Sequence, residues 1–218
     1  MTSSPIELGA VYRYDGFEHP IRVIAFDNDL VMYDTWWPHE KAWGLAMLKR
    51  SISYYRLPWK RFASLATYLR TEEYTQAEFK IHRPDLPMAF GQYLNIQWHD
   101  KAPETIARAS ELLGVARASE TAARPWSLDA NEVVLLPFSP KGSVKPGTRL
   151  SSSNGNVFDE AELLWHAWRL QKPFLRESRV TDGVGLYRSG LERRIPSYYI
   201  WGSHSRLEQQ RRPKAQNS

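Results

Sequence analysis

Along the first third of the chain, apolar and polar positions fall into short β-type runs. Val11, Tyr12 and Tyr14 lead into Asp15-Gly16, and the runs IRVIAF (21–26) and LVMYD (30–34) flank Asp27-Asn28-Asp29. Two β-rich runs separated by turn-prone residues predict an antiparallel hairpin, and hence a small N-terminal antiparallel sheet. Beyond it the pattern is open to two readings. Pro38 can start a helix capped by Asp34 or Thr35, or the chain can loop around Trp36-Trp37 into a further strand through Trp43. SISYYRL (51–57) reads as one strand, with Ser51, Ser53, Tyr55 and Leu57 on one face and Ile52, Tyr54 and Arg56 on the other. After Pro58 the period changes. Phe62, Leu65, Ala66 and Leu69 fall at i, i+3, i+4 and i+7, which predicts an amphipathic helix near 58–78.

The second half alternates in the same way. Pro103, Glu104 and the stripe Ile106, Ala109, Leu112 and Leu113 predict a helix near 103–116. EVVLLPF (132–138) has the pattern of a buried strand. The Ser-, Gly- and Lys-rich run 139–157 reads as a flexible loop or linker. A further helix is expected near 158–171, with Asn156 as a candidate cap and Leu163, Leu164, Ala167 and Trp168 on its apolar side. VGLYRSGLERRIPSYYIWG predicts a C-terminal β-hairpin turning near Ser189-Gly190, followed by a polar, basic tail. The expected architecture is α+β. It divides into an antiparallel β subdomain (1–57), a mixed helical and strand region (58–138), the loop or linker (139–157), a helix plus hairpin (158–205) and the tail (206–218). The opening GAVYRYDG…IRVIAF…LVMYD resembles the small SH3-like barrels, a resemblance of fold that does not fix function.

Charge adds what periodicity cannot. Against a net charge of +5, residues 41–70 carry Lys41, Lys49, Arg50, Arg56, Lys60, Arg61 and Arg70 with no acid, a local +7. Residues 188–218 carry seven cations against Glu192 and Glu208, a local +5, which leaves −7 for the remainder. Charge serving solubility alone would be interspersed, whereas segregated positive charge attracts polyanions. The competing reading is that the blocks face the acidic remainder and neutralise it internally. The rings Trp43, Tyr54, Tyr55, Trp59, Phe62 and Tyr68 interleave with the first block. Such rings serve either as core or as stacking platforms for unpaired bases.

Motifs narrow the chemistry mainly by exclusion. The absence of cysteine removes disulfides and thiolate zinc sites. No GxxxxGK[ST], GxGxxG or GxSxG occurs, which removes support for nucleoside triphosphatases, dinucleotide enzymes and α/β-hydrolases, and no cofactor is called for. The N-terminus has no secretory pattern and no run is long and apolar enough to span a membrane, so a cytoplasmic protein without a membrane partner is expected. Glu162 and His166 share a helix face, and Asp27, Asp29 and Asp34 gather near a turn. Neither group completes a metal site.

The expected function is non-enzymatic binding of DNA or RNA. Lys49, Arg50, Arg56, Lys60, Arg61, Arg193, Arg194, Arg211 and Arg212 would contact phosphates, and Tyr54 or Trp59 would stack. Two alternatives stand beside it: a module docking an acidic partner protein through Trp36 and Trp37, and a metal-dependent nuclease.

Overall fold

The computed structural model describes residues 6–26, 30–48, 51–53, 55–98, 105–111, 127–139, 143–174 and 181–201. The chain forms two compact units, Met1–Met88 with Gly190–Arg194, and Ala89–Ser189 with Ile195–Ser218. Helix and strand are mixed in both, and no sheet closes into a barrel.

The first unit is built on an antiparallel sheet. β1 (Ala10–Tyr14), β2 (Ile21–Phe26) and β3 (Leu30–Trp37) run consecutively, and β4 (Ala42–Gly44) follows β3. The predicted hairpin is thus present, and the strand reading of the Trp43 region holds over the helical one. The run 51–57, expected as one strand, is instead two. β6 (Ser51–Ser53) pairs with β5 (Ala46–Leu48), whereas β7 (Tyr55–Pro58) pairs with β3. The expected helix near 58–78 is also divided. α1 (Trp59–Leu65) stops after seven residues, and Ala66 turns to the extended region with φ −93° and ψ 129°. β8 (Ala66–Thr71) then pairs with β1. Thr67, Tyr68 and Thr71 favour a pleated strand, and a free sheet edge outweighs the helical stripe there. Phe62 is buried as the stripe requires, but Leu69 stands exposed.

α2 (Gln76–His82) was not expected. The Thr75 hydroxyl accepts from the Glu78 amide and the Glu78 carboxylate accepts from the Thr75 amide, a reciprocal capping box that satisfies the helix's first donors. Tyr12, Tyr14, Ile21, Val23, Val31, Tyr33, Leu57 and Phe62 fill the core of this unit, with Tyr12 edge-on to Phe62 at 4.9 Å. The apolar runs of β1 to β3 account for nearly all of these, since they are buried on both faces.

In the second unit β11 (Glu132–Leu136) pairs antiparallel with β12 (Thr148–Ser151) and parallel with β15 (Ile195–Trp201). β14 (Thr181–Glu192) lies beside β15 and pairs with β9 (Ala89–Trp98). β12 falls within 139–157. Residues 106–111 are helical (α3), with Ala109 buried, and the rest of the expected 103–116 helix lies outside the described residues. β10 (Ser127–Leu128) and β13 (Phe158–Asp159) form a short ladder leading into α4 (Glu160–Gln171).

The cap of α4 is Asp159, not Asn156: its carboxylate accepts from the Glu162 amide at 2.8 Å. Leu163, Leu164, Ala167 and Trp168 are buried, as their spacing requires. The Gln171 amide closes the far end, accepting from the Phe138 amide at 3.0 Å and donating to its carbonyl at 2.9 Å. The C-terminal hairpin turns at Arg193-Arg194 rather than Ser189-Gly190, and Tyr198 points into the core. The 206–218 tail lies outside the described residues, and among those described no helix is long and apolar enough to cross a membrane.

Candidate functional site

The sequence places cations in two distant blocks, and strand register brings one end of each together. β14 pairs with β6 through Gly190↔Ser53, Leu191↔Ile52 and Glu192↔Ser51. The next residues of β14's chain are Arg193 and Arg194, both exposed. On the other side, Leu48 pairs with Ser51, and the two residues between them in the chain are Lys49 and Arg50. Those two lie outside the described residues.

The Arg193-Arg194 turn has φ 50° and 69°. Positive φ at both central residues is the condition of a type I′ turn, which ordinarily selects Asn-Gly. An L-residue other than Gly, Asn or Asp is strained there, by about 1–2 kcal/mol each. The turn therefore holds two arginines at a conformational cost that an Asn-Gly pair would avoid.

The other cations are divided. Lys60 and Arg61, on α1, are exposed, and with Arg193 and Arg194 they form no ion pair among the described residues. Arg56 is half-buried on β7. Arg70 is neutralised by Glu72 at 2.5 Å, and Arg188 is fully buried, so neither adds to an exposed field. Trp59 is half-buried and packs against the core of its unit. Trp36 and Trp37 are half-buried, not exposed. Trp36 meets Trp43 edge-on at 5.5 Å, and a Cβ added at Gly44 would stand 2.7 Å from the Trp37 ring, so both are committed to β4. Tyr54, Arg211 and Arg212 lie outside the described residues.

A second constellation escapes the sequence reading. Arg22 on β2 is 1% exposed and grips Asp34 on β3, which is wholly buried, with Nε at 3.3 Å from Oδ1 and Nη2 at 2.8 Å from Oδ2. The same Nη2 donates to Glu78 Oε1 at 3.1 Å. His82 Nδ1 stands 3.3 Å from Asp34 Oδ2. The guanidinium lies over the Tyr74 ring at 4.1 Å and the Trp43 ring at 4.7 Å. Trp43 Nε1 donates to Glu72 Oε2 at 2.9 Å, and the Tyr74 hydroxyl to the Val23 carbonyl at 2.9 Å.

Burial pushes the Asp34 carboxyl up to about 7, against the opposing pull of Arg22. At Glu78 the balance is reversed. Burial raises it, but hydrogen bonds from Thr75 and the Arg22 charge outweigh burial and hold it below the usual range.

A signal for this cluster existed, since Arg22 interrupts an otherwise apolar run and a buried cation requires a partner. Register hid the partner's identity. Phe26↔Val31 and Ala25↔Met32, extended regularly, would put Arg22 opposite Thr35. An irregularity between Val23 and Ala25 shifts the pairing to Arg22↔Asp34.

The metal candidates acquire other roles. Asp34 is committed to Arg22, and Asp27 and Asp29 lie outside the described residues. Glu162 is buried and accepts from the Ser153 amide at 2.8 Å. His166 is held below its usual pKa, by burial first, which outweighs the opposing Glu162 charge and is joined by Arg169. No group of three metal-ligating side chains occurs among the described residues. Comparison with protein-family models, with curated proteins and with solved structures finds no match.

Proposed function

We propose that the chain binds nucleic acid without catalysing a reaction on it, through phosphate contacts from Lys49 and Arg50 and from Arg193 and Arg194. Lys60, Arg61 and Arg56 would add phosphate contacts, as would Arg211 and Arg212 of the tail, and Trp59 or Tyr54 would supply stacking. The observation that supports the reading is the register of β6 between β5 and β14, because Lys49-Arg50 follow β5 in the chain and Arg193-Arg194 follow β14. The strained arginine turn supports it, because a turn selected for stability alone would hold residues that favour positive φ. The strand order β7-β3-β2-β1-β8, with α1 between β7 and β8, supports an SH3-like arrangement of residues 10–71 in open form. That is a platform for a surface and implies no chemistry by itself.

Filter binding with duplex DNA and with RNA across a salt series tests the reading. Phosphate contact by the four cations predicts log K falling against log salt with a slope of about −3 to −4 on duplex DNA. Binding that is undetectable at low salt, or indifferent to salt, ends the proposal. An acidic protein partner would use the same cations, and it would appear instead as stoichiometric capture that survives nuclease treatment.

A further inference from the structure

The segment from Tyr74 through α2 is attached to its sheet in an unusual way. Of the seven residues of α2 only His82 is buried, while Phe79 and Ile81 are 41% and 46% exposed. Apolar burial therefore contributes little to holding this helix down. Polar contacts do so instead: Glu78 to Arg22, His82 to Asp34, the Tyr74 ring on the Arg22 guanidinium, and the Tyr74 hydroxyl on the Val23 carbonyl.

The charges in this cluster do not balance by themselves. Among the described residues two carboxylates, Asp34 and Glu78, face one guanidinium, and beside them stand the Tyr74 phenol and His82, which is neutral unless it takes a proton. The neighbouring pair Arg70–Glu72, which reaches the cluster through Trp43, is already balanced. Arg83, next along the chain, forms a double-pronged pair with Asp85. A net negative charge enclosed beneath a helix is costly, and a single proton removes it. The place for that proton is the 3.3 Å contact between His82 Nδ1 and Asp34 Oδ2.

We propose that the buried Arg22–Asp34–Glu78–His82 cluster takes up one proton, shared between Asp34 and His82, and that losing it unlatches the Tyr74–His82 segment from the sheet. The upward displacement of Asp34 agrees in direction. A group that binds its proton more tightly when latched contributes stability that is present at low pH and lost as pH rises through the latched pKa. The latch is therefore strongest in acid and has lost this contribution once pH passes about 7, and across that titration its opening equilibrium rises by up to about tenfold per pH unit.

Amide hydrogen exchange of residues 76–83 between pH 4.5 and 8, corrected for intrinsic base catalysis, measures this opening, and NMR titration of the His82 ring measures the proton. In the wild-type chain, protection falls several-fold as pH rises, and the His82 ring titrates above its ordinary range. Glu78→Gln removes one negative charge and keeps one acceptor oxygen, enough for the Thr75 cap but not for Arg22 as well. It should flatten the exchange profile and lower the His82 midpoint. Parallel exchange profiles for the two proteins, or a His82 midpoint unmoved by the substitution, overturn the proposal.

Discussion

Replacing Arg193-Arg194 by Asn-Gly separates what the turn contributes to folding from what it contributes to binding. Both residues have positive φ, 50° and 69°, where an arginine costs about 1–2 kcal/mol and Asn or Gly costs little. Glycine gives back roughly 0.5–1 kcal/mol through the greater freedom of its unfolded chain. The net expectation for R193N/R194G is a gain of about 1–3 kcal/mol. At this chain length that raises Tm by roughly 2–12 °C, and it moves the urea midpoint upward without changing m.

Both arginines are exposed and form no ion pair among the described residues, so little folding energy is lost with their side chains. Binding should move the other way. Removing two phosphate contacts flattens the salt dependence on duplex DNA by about 1.8 in log–log slope and weakens affinity at low salt. Urea unfolding and filter binding on the same preparations give both numbers. A more stable double variant with unchanged affinity and slope would show that the arginines touch no phosphate. A less stable one would refute the strain assignment itself.

Other consequences of the structure can be checked independently. Phe62→Ala should cost about 3–5 kcal/mol in urea unfolding, because the ring is 1% exposed and meets Tyr12 edge-on in the first unit's core. Gly9→Ala should cost about 2–4 kcal/mol, since Gly9 has φ 80° and a Cβ there would collide with the Glu72 backbone carbonyl at the start of the β1–β8 ladder. His166 has a depressed pKa, so its folded form resists protonation and stability drops as pH falls below its ordinary 6.5. The urea midpoint of His166→Gln should fall less than that of the wild type between pH 7.5 and 5.5, and equal losses would remove the assignment.

The local patterns carried a good part of this fold. Apolar runs with a turn between them specified β2 and β3, EVVLL specified β11, and the spacing of Leu163, Leu164, Ala167 and Trp168 specified α4, because each pattern is satisfied within a few residues of itself. Where two local patterns competed, the sequence did not settle the matter. Phe62 to Leu69 has helical spacing, yet Thr67, Tyr68 and Thr71 suit a strand, and the open edge of β1 decided it. Residues 51–57 alternate as one strand should, yet the ladders of β5 and β14 take the first half and β3 takes the second.

Composition alone determined that two cation-rich blocks exist and that thiol chemistry does not. Tertiary structure alone decided that Glu192 pairs with Ser51, and that Asp34 and Glu78 converge on Arg22 from 12 and 56 residues away. The physical reason is the range of the interactions involved. Periodicity and turn chemistry are properties of neighbouring residues, whereas pairing register and the neutralisation of a buried charge depend on segments that meet only after the chain has folded, and here one strand irregularity chose the partner.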